Sequence, residues 1–374
     1  MNIAVLKEIA PETRVSLVPE VVSALKKLNI NIWVEEDAGM QSFYNDTSYQ
    51  DAGAVIKNKN SITAEADIVL AIQSSSLAHY KIKNDAIVLG VYQPLSNPQL
   101  MQSWAELGWT VFSMDTIPRT TRAQAMDVLS SQANIAGYKA VLLAATTYCR
   151  YFPMFMTAAG SIPPAKVLIL GAGVAGLQAI ATARRLGAVV EVFDTRPAVK
   201  EEVMSLGAKF IEVDGAADAS SAGGYAVEQS EAYMQKQKEM IHEHARKADI
   251  IITTAQIPGK KAPILITRTT IEAMRHGSVI IDLAAATGGN TELTADNQTI
   301  MHQGVTIIGN SALAATMPAD ASRLYAKNIA NFLKLIIQND GNLHLNFEDD
   351  LVQGTCIVHG GKIINERIKS LLGN

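Results

Sequence analysis

The stretch Leu168-Ile169-Leu170-Gly171-Ala172-Gly173-Val174-Ala175-Gly176 places a Gly-x-Gly-x-x-Gly pattern directly after an apolar run typical of a buried strand. A helical pattern follows and continues to Arg184. In such a strand-turn-helix unit, the first glycine permits the tight turn, the second lets a pyrophosphate approach the backbone, and the third lets the helix pack against the strand. The helix N-terminus adds unpaired N–H donors and the positive end of its dipole. The pattern therefore predicts a dinucleotide-binding site at Gly171, Gly173, Val174, Ala175 and Gly176.

A second apolar run, residues 189–193, ends at Asp194, which lies 18 residues after Gly176. The acid that binds the ribose hydroxyls of NAD lies at this place in a dinucleotide-binding unit. Thr195 and Arg196 follow, and an arginine here can accommodate the 2′-phosphate of NADP. We expect NAD, because a carboxylate repels that phosphate. A glycine-rich turn without a ligand and a solvated strand-end carboxylate are the structural alternatives.

Two later segments are predicted to contact the same nucleotide. The apolar run at residues 250–253 continues into Thr254 and Ala255, small residues that suit the carboxyl end of a strand beside a cofactor. In the segment 221–225, paired glycines precede Tyr225, which suits a loop that closes over the nucleotide with the tyrosine as its lid. A surface connection without a ligand is the alternative for that segment.

Apolar runs alternate with helical patterns over both halves of the chain, which predicts βαβ units on parallel sheets. The predicted fold class is α/β, with two doubly wound, Rossmann-like domains of which the first is discontinuous. We expect residues 1–130 and 316–374 to form the first domain and residues 131–315 the NAD(H)-binding domain, since the helical pattern at 325–338 lies beyond the second sheet. The predicted strands are 3–6, 32–35, 68–72, 87–91, 110–113, 166–170, 189–193, 210–212, 250–253, 279–283 and 306–308.

The composition excludes several functional classes. With 48% hydrophobic and 18% charged residues, the chain can bury a core that offsets its ordering entropy. A formal net charge of −4 without a basic stripe predicts no nucleic-acid partner. Two cysteines fit a reducing compartment, and His242 and His244, two residues apart, lack the spacing of a metal site. The apolar runs are too short for a membrane span, so we expect no direct membrane insertion.

A cluster of polar residues lies at the end of the predicted first domain. If residues 122–148 form one continuous helix, Gln124, Asp127 and Ser130 fall on one face at i, i+3 and i+6. An amide, a carboxylate and a hydroxyl can hold a nicotinamide carboxamide and ribose, and Arg119 can pair with Asp127 to fix it. An ordinary helix start with a threonine cap and a solvated polar face is the alternative.

Several segments together resemble the NAD(H)-binding components of proton-translocating nicotinamide nucleotide transhydrogenases. The resemblance runs essentially from Met1 to the end of the chain. The segments are KE…TRVSLVPE (7–20), RAQAMDVLSSQANIAGYKAV (122–141), FPMFMTAAGSIPPAKVLILGAGVAGLQAIATARRLGAVVEVFDTR (152–196), SAGGYA (221–226), ITTAQIPGKKAPILIT (252–267) and GSVIIDLAAATGGN (277–290).

This resemblance implies a homodimer that binds NAD(H) and docks on the cytoplasmic face of an inner-membrane complex. An NADP(H)-binding beta subunit and a membrane-spanning subunit are the implied partners, as in the split form of the alpha subunit. Direct hydride transfer between two nicotinamides needs alignment and no general acid or base. Carried over by position, the residues at the nicotinamide end are Arg119, Gln124, Asp127 and Ser130, those at the adenosine end are Asp194 and Arg196, and the mobile-loop tyrosine is Tyr225.

Alanine dehydrogenases resemble the chain over the same length and are the alternative enzyme class. Their carboxylate-binding arginine matches Arg14, but their lysine, histidine and aspartate positions correspond to Gln73, Gln93 and Ala286. Oxidation of an amine needs a base and a group that polarises the imine, and these glutamines provide neither. An NAD-sensing module without turnover is a further alternative of a different class.

Overall fold

The computed structural model describes residues 1–213 and 230–373, which fold as two compact units. Unit 1 combines Met1–Gln132 with Ala315–Asn374, and unit 2 comprises Ala133–Ala314. Strands and helices are numbered here along the whole chain. Within the described residues, every helix is too short or too polar to cross a membrane.

Unit 1 contains an eight-stranded sheet in which the six N-terminal strands run parallel. The prediction missed the last two strands, which add antiparallel to the edge beside the sixth. They are short and follow a helix directly, so no alternating pattern separates them from it. In the order β17-β16-β6-β5-β4-β1-β2-β3, the strands are β1 Asn2–Val5, β2 Asn31–Glu35, β3 Val55–Lys57, β4 Ile68–Leu70, β5 Ile87–Gly90, β6 Thr110–Ser113, β16 Cys356–His359 and β17 Lys362–Ile363.

Helices cover both faces of this sheet, which explains why its strands are continuous apolar runs. The longest begins with a proline at its first turn, and its Phe332 ring packs edge-on to Phe112 at a centroid distance of 5.4 Å. The helices of unit 1 are α1 Pro19–Leu25, α2 Asp46–Asp51, α3 Ser74–Leu77, α4 Pro98–Glu106, α10 Pro318–Ile336, α11 Asp350–Thr355 and α12 Glu366–Leu372.

Unit 2 contains a seven-stranded sheet and a separate hairpin of two strands. All neighbours in the sheet are parallel except one antiparallel edge strand, β14, which the prediction missed because its exposed residues lack an apolar run. In the order β11-β10-β9-β12-β13-β15-β14, the strands are β9 Lys166–Leu170, β10 Val189–Phe193, β11 Lys209–Phe210, β12 Ile250–Thr253, β13 Val279–Asp282, β14 Gln298–His302 and β15 Val305–Gly309.

The hairpin consists of β7 (Phe155–Thr157) and β8 (Gly160–Ile162), within a segment predicted as a loop on the strength of its prolines. Gly160 has a φ of +131°, a conformation that favours glycine at the turn. The prolines at 153, 163 and 164 flank the two strands and interrupt neither. The remaining helices are α5 Val128–Thr147, which spans the sequence boundary between the units, α6 Val174–Arg185, α7 Lys200–Ser205, α8 Glu231–Ala245 and α9 Arg268–Glu272.

These two sheets confirm the predicted fold class. In each, the first strand of the parallel set lies in the middle, and the strand order reverses beside it, between β1 and β4 in unit 1 and between β9 and β12 in unit 2. Open α/β sheets bind ligands outside the carboxyl ends of their strands at this switch point. The glycine loop directly follows β9 and therefore lies at the switch point of unit 2.

Candidate functional site

Two glycines of the loop are required by the packing of the protein itself. Gly171 has a φ of +103°, and a Cβ there would lie 2.4 Å from Thr254 Oγ1. At Gly176, a Cβ would lie 1.9 Å from the carbonyl oxygen of Gly171. Because both contacts are far shorter than van der Waals distance, only glycine lets α6 approach the end of β9 this closely.

Gly173, in contrast, is not required by the surrounding protein. Its φ is −76°, which any residue can adopt, and a Cβ there would meet no described atom within 4 Å. The residue caps the N-terminus of α6, and the next residue, Val174, is 39% exposed. The space in front of Gly173 is therefore open at a helix N-terminus, which is what the pyrophosphate of a dinucleotide needs.

Asp194 holds the glycine loop and is itself held by an arginine. One carboxylate oxygen, Oδ2, accepts a hydrogen bond from the amide of Ala172 at 2.7 Å and one from Arg196 Nη2 at 2.8 Å. The other, Oδ1, accepts from the Arg196 amide at 2.8 Å and from its Nε at 2.9 Å. The hydrogen bond to Asp194 raises the pKa of Arg196. Since a carboxylate accepts about four hydrogen bonds, a ribose hydroxyl must share or replace one of the Arg196 bonds.

Thr254 and Ala255 follow β12 at the same edge of the sheet. The amide of Thr254 donates to the carbonyl of Leu170 at 2.9 Å, and its hydroxyl lies 3.2 Å from the carbonyl oxygen of Gly171. Ala255 is fixed by the fully buried Asn290, whose Oδ1 accepts from its amide at 3.0 Å and whose Nδ2 donates to its carbonyl at 2.9 Å. The predicted residues after β9 and β12 are thus in direct contact.

Asn290 belongs to a buried network that the sequence analysis missed. Asp282, at the end of β13, is fully buried and accepts hydrogen bonds from the amides of Ala284 at 2.9 Å and Asn290 at 2.6 Å. The hydroxyl of Thr294 donates to the same carboxylate at 2.6 Å. A carboxylate directly after three apolar strand residues, followed by paired glycines, was the available signal. The network fixes the loop after β13 and, through Asn290, the loop after β12.

The polar cluster near Gln124 differs from its prediction. Residues Thr121–Met126 form a 3₁₀ helix, and α5 begins only at Val128. Asp127 lies between them in an extended conformation and caps α5, because its Oδ1 accepts from the Ser130 amide at 2.9 Å and its Oδ2 from the Ser130 hydroxyl at 2.6 Å. The prediction of one α-helical face shared by Gln124, Asp127 and Ser130 is therefore wrong.

This correction has a physical reason and a consequence. An aspartate satisfies the free N–H groups at a helix start, which favours a break in the helix before it over a continuous helix through it. Arg119 and Gln124 are exposed, whereas Asp127 and Ser130 are partly buried. All four lie within unit 1, and the glycine loop and Asp194 lie within unit 2. Tyr225 and its neighbouring glycines lie outside the described residues.

Arg14, which matches the carboxylate-binding arginine of alanine dehydrogenases, is bound by groups of the chain itself. Its Nε and Nη2 donate to the two carboxylate oxygens of Glu12 at 2.7 and 2.6 Å, and its Nη1 donates to Gln132 Oε1 at 2.8 Å. Gln73 Nε2 donates to Glu12 as well, at 3.0 Å. Burial opposes ionisation of Glu12, but the hydrogen bonds and charge of Arg14 outweigh it and lower the pKa of that carboxyl.

Glu8 is a second buried carboxyl of unit 1. Its Oε1 accepts from the Ile72 amide at 2.5 Å and its Oε2 from the Ser76 hydroxyl at 2.6 Å. Burial outweighs these hydrogen bonds and raises the pKa of Glu8 to about 7. Ionisation of this group is therefore linked to folding near neutral pH.

Comparison with known proteins identifies the family of this chain. The family model described as "Alanine dehydrogenase/PNT, N-terminal domain" matches residues 4–136, and "Alanine dehydrogenase/PNT, C-terminal domain" matches residues 140–366. The chain is 43% identical to the first polypeptide of the split NAD(P) transhydrogenase subunit alpha of Rickettsia prowazekii, over 100% of both proteins. It is 28% identical to an "Alanine dehydrogenase" of Staphylococcus epidermidis, covering 88% of each.

A solved structure described as the transhydrogenase from Sinorhizobium meliloti superposes on the chain with a TM-score of 0.87. It shares 44% sequence identity and covers 97% of this chain and 100% of its own. The fold, the whole-length identity and both domain models thus agree. The chain belongs to the alanine dehydrogenase/PNT family, and the NAD(P) transhydrogenase alpha subunits are its similar relatives over the full length.

Proposed function

We propose that this chain is the NAD(H)-binding component of a proton-translocating transhydrogenase. In this function it exchanges hydride between NAD(H) bound on unit 2 and NADP(H) bound on a partner component, and membrane partners couple the exchange to proton translocation. The observation that carries the proposal is the open space at Gly173 in an otherwise tightly packed glycine loop. A glycine that the protein's own packing does not need is best explained by a ligand that approaches the backbone.

The proposed nucleotide site fits NAD(H) along its whole length. The pyrophosphate is held at the N-terminus of α6, and Asp194 accepts a ribose hydroxyl as Arg196 gives up one of its hydrogen bonds to the carboxylate. Thr254 and Ala255 border the loop at the carboxyl end of β12. The full set of proposed nucleotide-binding residues is Gly171, Gly173, Val174, Ala175, Gly176, Asp194, Thr195, Arg196, Tyr225, Thr254 and Ala255.

The residues proposed for the nicotinamide end are Gln124, Arg119, Asp127 and Ser130. The exposed amide of Gln124 can exchange hydrogen bonds with a carboxamide, whereas Asp127 and Ser130 are tied to each other and fix the start of α5. Bound NAD(H) supplies the hydride, so these residues orient a ring and transfer no proton. We therefore assign Gln124 a direct contact and Asp127 a positioning role toward Ser130.

The proposed partners follow from what the relatives are called and from the surface of unit 2. An alpha subunit implies a complex, for which we propose an NADP(H)-binding beta subunit and a membrane-spanning subunit, with this chain peripheral on the cytoplasmic face of the inner membrane. A homodimer is proposed as well. The hairpin β7–β8 supports it, because Met154, Phe155 and Met156 are 63%, 43% and 72% exposed. Exposed apolar groups of this kind are typical of association surfaces.

Alanine dehydrogenase activity is disfavoured by the contacts of Arg14. Both carboxylate-binding N–H groups of its guanidinium are taken by Glu12, and Gln73, at the lysine position, is a further donor to that same carboxylate. Neither Gln73 nor Gln93 can act as a general base. A nucleotide-sensing module differs by showing no turnover beside any partner.

Reconstitution with the NADP(H)-binding component of a transhydrogenase tests the proposed function. We expect the mixture to reduce NADP+ with NADH, and we expect Gln124→Asn, which retracts the amide by one methylene, to bind NADH within a few-fold of the parent. Because misplacement by about 1 Å costs on the order of a hundredfold in rate, hydride transfer by this variant should fall by at least about tenfold. Parental transfer would exclude Gln124 from the nicotinamide site, and absence of transfer by the parent would refute the function.

A further inference from the structure

Unit 1 repeats the strand order of unit 2 and has a cleft at the corresponding place. The order β3-β2-β1-β4-β5-β6 matches β11-β10-β9-β12-β13-β15, with the switch point beside the first strand in both. At the switch point of unit 1, a cleft of about 330 Å³ is lined by residues that follow β1 and β2 together with Lys59, His79 and Tyr80. All of its lining residues belong to unit 1.

Glu35 occupies in this cleft the place that Asp194 occupies in unit 2. The last residue of β1, Val5, pairs with Val34, and Glu35 follows; the last residue of β9 pairs with Phe193, and Asp194 follows. Glu35 Oε2 accepts a hydrogen bond from the amide of Lys7, two residues beyond β1, at 2.7 Å. Asp194 Oδ2 accepts from the corresponding amide, two residues beyond β9, also at 2.7 Å. The same carboxylate clasp thus exists in both units.

The two carboxylates differ in what covers them. Asp194 is bound by the cationic side chain of Arg196, whereas Glu35 accepts its second hydrogen bond from the neutral hydroxyl of Tyr80. Burial and this hydrogen bond raise the pKa of Tyr80, so its hydroxyl stays protonated. Both bonds reach Oε2, and among the described residues none donates to Glu35 Oε1. A carboxylate oxygen in a cleft without a donor is an acceptor for a ligand hydroxyl.

The surroundings of the cleft do not suit a phosphate. The segment between β1 and α1, residues 6–18, contains no glycine, and α1 begins only at Pro19. Without a helix that starts beside the first strand, unit 1 lacks the N–H donors and dipole that unit 2 offers. Glu36 and Asp37 also line the cleft and add negative charge. A ligand here is therefore expected to carry hydroxyls and no anionic group.

We propose that this cleft binds a ribonucleoside without a phosphate, with the ribose hydroxyls on Glu35 Oε1 and the base beside the ring of Tyr80. The other observation that favours an aromatic base is a cation already placed against that ring: Lys59 Nζ lies 5.2 Å from the centroid of Tyr80. The proposal concerns unit 1 alone and does not depend on hydride transfer.

Adenosine is the probe, titrated by calorimetry or equilibrium dialysis into the full chain saturated with NADH, so that unit 2 is already occupied. We expect one adenosine site per chain, with 2′-deoxyadenosine and AMP at least about tenfold weaker. Glu35→Gln keeps an oxygen for the Lys7 amide but loses the charge, and should weaken adenosine by at least about tenfold. The control Glu36→Gln removes the same charge from an exposed neighbour and should stay within about threefold.

Unchanged NADH affinity in both variants shows that they fold. Three results would overturn the proposal: no adenosine binding in the NADH-saturated chain, AMP bound as tightly as adenosine, or equal adenosine affinities in the parent and Glu35→Gln. Because NADH binding and hydride transfer are measured separately, these results leave the proposed function untouched.

Discussion

Gly173→Ala separates the needs of the protein from the needs of the nucleotide. The φ of Gly173 is −76° and an added Cβ meets no described atom within 4 Å, so alanine fits the protein without strain. Replacement of a glycine in such a conformation reduces the entropy of the unfolded chain and stabilises by about 0.4–1 kcal/mol. We therefore expect the unfolding temperature of the variant, without nucleotide, to equal or exceed that of the parent.

NADH binding should change in the opposite direction. The Cβ that Gly173→Ala introduces would occupy the space through which a pyrophosphate approaches the loop, and would cost one or two charge-assisted hydrogen bonds of about 1.5–3 kcal/mol each. A loss of affinity on the order of a hundredfold, about 2.7 kcal/mol, follows. Titration by nicotinamide fluorescence measures the affinity, and thermal unfolding measures the stability of the same sample.

Gly176→Ala is the matched control with the opposite stability effect. Its Cβ would lie 1.9 Å from the Gly171 carbonyl, so the helix and loop must shift, at a cost of about 1–3 kcal/mol or more. If Gly173→Ala binds NADH as tightly as the parent, the loop does not hold the pyrophosphate. If it is as unstable as Gly176→Ala, the space at Gly173 is not open and the reasoning fails.

Three further outcomes are expected. The parent should bind NADH more tightly than NADPH, and Asp194→Ala should reduce this preference by at least about tenfold, because it removes the carboxylate and releases Arg196 to meet a 2′-phosphate; equal preferences in titrations of both proteins would exclude this role. Burial raises the pKa of Glu8 from 4.5 to about 7, so the folded state holds this proton more tightly than the unfolded state. Stability should fall as pH rises from about 4.5 to about 7, by up to about 3 kcal/mol, and denaturant unfolding of Glu8→Gln should lack that loss; identical profiles would contradict it. Incubation with NAD and L-alanine at alkaline pH should yield no NADH, and steady production would establish the alanine dehydrogenase alternative.

The sequence predicts best those strands that are buried on both faces. The predicted bounds of β6, β9, β10 and β12 coincide with the observed ones, because a continuous apolar run begins and ends with the strand. Edge strand β14 is mostly exposed and carries no such run, so only its pairing with β15 reveals it.

The site shows the same division between local and non-local information. The conformations of Gly171 and Gly176 follow from a pattern nine residues long, since strand, turn and helix are contiguous. The hydrogen bonds between Arg196 and Asp194 and the burial of Asp282 depend on how side chains pack, which spacing does not encode. The prediction at Asp127 failed for a related reason: apolar periodicity predicted a continuous helix, and one local hydrogen bond ended it.

Hydride transfer is tested most directly with NADH that carries deuterium at both C4 positions, mixed in ordinary water with this chain and the NADP(H)-binding component loaded with NADP+. The proposed function predicts NADPH with one deuterium at C4, formed at a rate that depends on both proteins, because the hydride passes between the nicotinamides without exchange with solvent. NADPH without deuterium, or no NADPH at all, would contradict it.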